Sequence, residues 1–130
     1  MKTPVVLLLT NDSKLEDSAA QVLLETGGLS YLAHSAGDAL QIVCGVGADL
    51  ELAVIDFESG PHGMTLLSAI STCRENFPVI VVTREDGKHV EALAYANGAT
   101  ACLRKPLTTV QLAEAIKHCR RPRYQLALAG

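Results

Sequence analysis

The chain has 130 residues, 48% of them hydrophobic and few aromatic, with a formal net charge of −3. That length suits one domain with a full core of small aliphatic side chains, and the charge excludes a broad nucleic-acid-binding surface. No apolar stretch is long enough to span a bilayer, and no signal-peptide pattern precedes the first apolar run, so a cytoplasmic location is expected.

Val5 to Thr10 is that first run and reads as a buried strand, with Asn11 and Asp12 at its end. Ser13 opens a helix. Ser13 to Glu16 fits a capping box, Leu15, Ala19, Val22 and Leu23 share a face, and Gly27-Gly28 stops it. Leu29 to His34 is a shorter, less apolar strand, expected nearer an edge. Ser35 is a good N-cap for a helix from about Gly37 to Val46, with Ala39, Val43 and Val46 inward and Gly45-Val46-Gly47 as the break. Leu50 to Asp56 follows, too short and too rich in branched residues for a helix, and Phe57 to Gly63 is a loop. Met64 to Asn76 is a helix with Leu67, Ile70 and Cys73 on one face, and Pro78 ends the segment. Val79 to Thr83 is continuously apolar, the pattern of a strand buried on both faces. Arg84 to Gly87 is a turn, and Val90, Leu93 and Ala94 stripe a short helix that ends at Asn97-Gly98. Thr100 to Leu103 is a fifth strand, followed by Arg104-Lys105-Pro106. Thr108 to Gln111 fits a second capping box, and Leu112, Ala115, Ile116 and Cys119 face inward. Residues 1–119 form the domain and 120–130 a tail or linker. The cysteines, Cys44, Cys73, Cys102 and Cys119, lack C-x-x-C spacing and read as reduced core thiols in a reducing compartment.

Strands alternating with helices predict an α/β fold, a doubly wound five-stranded parallel sheet with helices on both faces. The common strand order for five such units is 2-1-3-4-5, with a ligand site at the carboxyl ends of strands 1 and 3. Asp56 organises that edge. Burying an unpaired carboxylate costs on the order of several kcal/mol, so an aspartate at a strand rim is expected where the core opens to solvent. Singly, Asp56 could cap a turn, Asp12 a helix, Thr83 could be a strand end and Lys105 a surface lysine. Their arrival at one edge instead fits a phosphoryl acceptor. Asp56 would be the nucleophile that forms an aspartyl-phosphate. Asp12 and Asp56 would hold Mg²⁺, Lys105 would neutralise charge, and Thr83 would donate a hydrogen bond to the transferring group.

The acidic turn Asn11-Asp12, Asp56 after Leu52-Ala53-Val54-Ile55, Thr83 after Val79-Ile80-Val81-Val82, and Lys105-Pro106 together resemble the receiver domains of two-component response regulators, over roughly residues 4 to 119. The resemblance implies a flavodoxin-like fold and phosphotransfer to Asp56 from a histidine kinase or phosphotransfer protein. It implies Mg²⁺ held by Asp12, Asp56 and the backbone carbonyl of Glu58, and a cis peptide before Pro106. It implies partner docking or homodimerisation through the fourth helix, fifth strand and fifth helix. It implies self-phosphorylation and dephosphorylation as the only chemistry, rather than enzymatic turnover, and no membrane or nucleic-acid contact by the domain itself. The chain departs from the pattern at Asn11, where a second acid is usual, at Arg84, where a small residue is preferred, and at Cys102, where an aromatic is common; the loop after Asp56 is about one residue short. A second reading is therefore a pseudo-receiver, a phosphorylation-independent protein-interaction module. A flavin or nucleotide carrier on the same fold lacks its phosphate loop, since Thr10 to Lys14 contains no glycine.

Overall fold

Five short strands rich in Val, Leu and Ile pair side by side in parallel: β1 (Val5–Leu9), β2 (Leu29–Ala33), β3 (Leu52–Asp56), β4 (Val79–Thr83) and β5 (Ala101–Arg104). Their order is 2-1-3-4-5, as the alternation predicted. The computed structural model describes residues 5–45, 50–59, 62–84 and 88–120. The helices are α1 (Ser13–Thr26), α2 (Ala36–Gly45), α3 (Gly63–Cys73), α4 (Lys88–Ala96) and α5 (Thr109–Cys119).

Alternation along each strand divides the core in two. Leu7, Leu9, Ala53, Ile55, Val79 and Val81 face α2, α3 and α4, through Val43, Leu67, Ile70 and Ala94. Val6, Leu8, Leu52, Val54, Ile80 and Val82 face α1 and α5, through Leu15, Ala19, Val22, Leu112 and Ile116. β3 and β4 are buried at every position, whereas β2 is exposed at all but Ala33, which makes it the edge its composition suggested.

Several local expectations are corrected. The N-cap of α1 is Asp12, not Ser13; its backbone is extended and its side chain accepts from the Lys14 amide. α3 stops at Cys73, because Arg74 is extended and Asn76 has a φ of 61°. Cys73 is thereby exposed, and Leu66 joins Leu67 and Ile70 in the core. In α4 the inward residue is Ala94, while Leu93 is 43% exposed. All four thiols are free, but none is buried: Cys44 and Cys73 are exposed, and Cys102 and Cys119 only partly covered. The capping box of α5 forms as read, Thr108 with Gln111, and Ser35 Oγ accepts from the Asp38 amide at the start of α2. The expected break at Val46-Gly47, the Gly60-Pro61 part of the loop, the turn at 85–87 and the tail at 121–130 lie outside the described residues. Among the described residues, no helix is long and apolar enough to cross a membrane.

Candidate functional site

Parallel pairing sets the site's geometry. Leu9 lies opposite Ile55, so the next residues, Thr10 and Asp56, emerge side by side at the carboxyl end of the sheet. Thr10 is fully buried, and its hydroxyl donates to Asp56 Oδ2 at 2.7 Å. After Asp56 the chain makes one 3₁₀ turn, Phe57–Ser59. That turn aims the Glu58 amide at Asp56 Oδ1, 2.9 Å away, and the Ser59 hydroxyl at Oδ2, 3.0 Å away. On the far side, the Lys105 amide bonds the Thr83 carbonyl at 2.8 Å, and the Lys105–Pro106 peptide is cis, as the resemblance implies. Lys105 Nζ reaches Asp56 Oδ2 at 2.9 Å and Asp12 Oδ2 at 2.8 Å.

Asp56 is only 2% exposed, which corrects the expectation of a carboxylate open to solvent. Four donors replace its water: two hydroxyls, one amide and one ammonium. Asp12 caps α1 through Oδ1 and grips Lys105 through Oδ2. The hydrogen bond from Lys105 is the main reason the Asp12 carboxyl sits below its ordinary range, against an opposing effect of burial. Burial alone would lower the Lys105 pKa, but its bonds to Asp12 and Asp56 outweigh that and raise it.

The remaining residues are placed differently. Thr83 is buried at the end of β4, one residue beyond the Asp56–Val82 pairing. Among the described residues no hydrogen bond joins its hydroxyl to Asp56. The Glu58 side chain turns to Arg84 at 4.0 Å, both substantially exposed, a contact too long and too solvated to contribute much. The Asn11 side chain is held by other groups: its amide nitrogen bonds the Ser59 carbonyl at 3.3 Å, and its oxygen meets His34 Nδ1 at 3.0 Å. His62 is exposed.

Two cavities lie along this edge among the described residues. One, of about 510 Å³, is lined by Asp12, Glu58, Arg84, Lys105 and Leu107. The other, of about 190 Å³, is lined by Asp56, Ser59, His34 and His62. Lys105, in the wall of the first, bonds Asp56, in the wall of the second. Among the described residues no three His, Cys, Asp or Glu side chains are grouped to hold a metal. Asp12 and Asp56 do converge on one cation, the Lys105 ammonium. Thr10 and Ser59 were missed in the sequence; the available signals were a polar residue directly after an apolar strand and a hydroxyl three residues past the aspartate.

No protein-family model and no curated protein matches the sequence. Solved structures match closely in shape. A response regulator receiver domain from Clostridium thermocellum is 25% identical, over 95% of this chain and 98% of that one, with a TM-score of 0.83. A CheY-like receiver domain protein from Methanospirillum hungatei is 24% identical, over 99% and 100%, with a TM-score of 0.82. HP1043, an orphan response regulator of H. pylori, is 19% identical, over 91% and 97%, with a TM-score of 0.78. The fold is the flavodoxin-like fold of response regulator receiver domains.

Proposed function

We propose that this chain is a two-component receiver module that accepts a phosphoryl group on Asp56 from a histidine kinase or phosphotransfer protein. The observation that carries the reading is Lys105 Nζ, 2.9 Å from Asp56 and 2.8 Å from Asp12 at the carboxyl edge of a parallel sheet. Lys105 would neutralise charge on the incoming group, and the Thr83 hydroxyl would donate to one of its oxygens. Mg²⁺ fits the donor set: two hard carboxylates already share a cation here, and this ion needs only one or two, with water and phosphate oxygens for the rest. Asp12, Asp56 and the Glu58 carbonyl would hold it. Bound there, it would neutralise charge on the transferring phosphoryl group. Self-phosphorylation and its reversal are then the only chemistry of the module.

Intact-mass measurement after incubation with Mg²⁺ and acetyl phosphate tests the reading. The expected result is a gain of one phosphoryl group that Asp56→Asn abolishes; an equal gain in that variant means another residue is the acceptor. A specific observation favours the pseudo-receiver as the second reading. The Asp56 side chain has no exposed surface, and three donors crowd its Oδ2. No mass gain in the native protein selects that reading.

A further inference from the structure

Two hydroxyls hold Asp56, and backbone amides fix the direction in which each one donates. The Asp12 amide donates to Thr10 Oγ1 at 2.9 Å, and Thr10 Oγ1 donates onward to Asp56 Oδ2 at 2.7 Å. The Asn11 amide donates to Ser59 Oγ at 2.8 Å, and Ser59 Oγ donates onward to the same Oδ2 at 3.0 Å. An amide N–H can only donate, so it occupies a lone pair of the hydroxyl and leaves that hydroxyl's single proton for Asp56. Lys105 Nζ adds a third donor to Oδ2 at 2.9 Å. A carboxylate oxygen offers about two lone-pair sites, so these three donors occupy Oδ2, where Mg²⁺ held by Asp56 would take the place of the Lys105 ammonium. Among the described residues Oδ1 accepts only the Glu58 amide, at 2.9 Å, which leaves it a second lone pair.

The torsion that turns an aspartate carboxylate is broad and confers little orientation by itself. Hydrogen bonds must therefore decide which oxygen faces an incoming group. We infer that Thr10 and Ser59 are positioning residues that pin Asp56 by Oδ2 and make Oδ1 the attacking atom, an assignment that rests on the acceptor reading above. In the step, an Oδ1 lone pair forms the new O–P bond. The bond from phosphorus to the donor's leaving oxygen breaks, and its electron pair departs with the leaving group, acetate when acetyl phosphate is the donor. Asp56 gives up no proton, so no base is required. The hydroxyls act before the step, by keeping Oδ1 in line.

The test is the rate of phosphoryl gain from acetyl phosphate, read by intact mass, for the native chain, Thr10→Val, Thr10→Ser and Ser59→Ala, with thermal unfolding measured alongside. Thr10→Val keeps the shape and loses the donor, and should slow uptake roughly tenfold. Ser59→Ala should slow it about threefold, because its bond to Oδ2 is the longer one. Thr10→Ser loses a buried methyl but keeps the donor; it should be less stable yet within about twofold of the native rate. Rates that follow the hydroxyl and not the unfolding temperature support positioning. A native rate in Thr10→Val, or rates that simply follow unfolding temperature, overturns it. If Thr10→Val does not fold, the Ser59→Ala rate decides. A native chain that gains no phosphate removes the acceptor reading and this assignment together, whereas a reactive native chain with equally reactive variants removes the assignment alone.

Discussion

At the scale of single residues, the candidate site is a charge triad with one member in the middle. Asp12 and Asp56 converge on Lys105, and the pKa values of Asp12 and Lys105 move in opposite directions. Asp12 has a folded pKa below its ordinary 3.8, so its contribution to stability is present above that value and lost as pH falls through the folded one. Lys105 has a folded pKa above its ordinary 10.5, so its contribution is present below that value and lost as pH rises through the folded one. Urea unfolding across pH should show a plateau between these limits and a decline outside both. Lys105→Met should flatten the alkaline decline and lower the plateau by about 3 kcal/mol, because it leaves the buried Asp56 without a cation. An unchanged alkaline slope in that variant would mean that another group governs it. Asp12, Asp56 and Lys105 were legible in the sequence because charges at strand ends are conspicuous. Thr10 and Ser59 were not, because a hydroxyl's role here depends on which amides point at it, the Asp12 amide for Thr10 and, once the 3₁₀ turn has placed it, the Asn11 amide for Ser59.

At the scale of elements, the alternation of apolar runs with amphipathic stripes carried the whole strand and helix order, since period 2 and period 3.6 are distinct signals. Boundaries were harder. Asp12 and Ser13 are both good caps, and only the backbone angles of Asp12 select it. The turn between α4 and β5 was marked by Asn97-Gly98, but its tightness was not. Gly98 has a φ of +113°, and a Cβ there would lie 1.9 Å from Ser71 Oγ and 2.9 Å from Ser71 Cβ. Ser71 Oγ also bonds the Asn97 carbonyl at 3.0 Å, tying α3 to the end of α4. Gly98→Ala should therefore destabilise the protein by about 2–3 kcal/mol, from backbone strain and overlap together. Adding Ser71→Ala removes the closer contact and leaves the other, so the double variant should recover about half of the loss, net of the tie it also breaks. Strictly additive losses in urea unfolding would show that the strain is all in the backbone.

At the scale of the molecule, the question is how far an event at Asp56 propagates. The resemblance would direct partners to the face of α4, β5 and α5, where Leu93, Tyr95 and Val110 are 43%, 47% and 70% exposed. A ligand shifts a conformational equilibrium only through an element that has two arrangements and that the ligand favours unequally. In β5 the position suited to an aromatic that could swing inward is Cys102, half-covered and without a ring. The nearby ring comes from α4, and it is tied down: Tyr95 Oη accepts the Cys102 amide at 3.1 Å. Glu91 and Arg104 add a second link between α4 and β5 at 3.1 Å. These two links hold α4 to β5 among the described residues, so coupling from Asp56 should be weak. Amide chemical shifts recorded with and without Mg²⁺ and beryllium fluoride, a phosphoryl mimic, check this. Glu58, Thr83 and Lys105 should respond strongly, and Tyr95, Cys102 and Val110 only slightly. Tyr95→Phe removes the acceptor for the Cys102 amide and frees the ring, so it should enlarge the response of α4 and β5. Large changes throughout the face of the native protein would refute weak coupling, and a Tyr95→Phe response equal to the native one would show that this hydrogen bond is not what holds the face still.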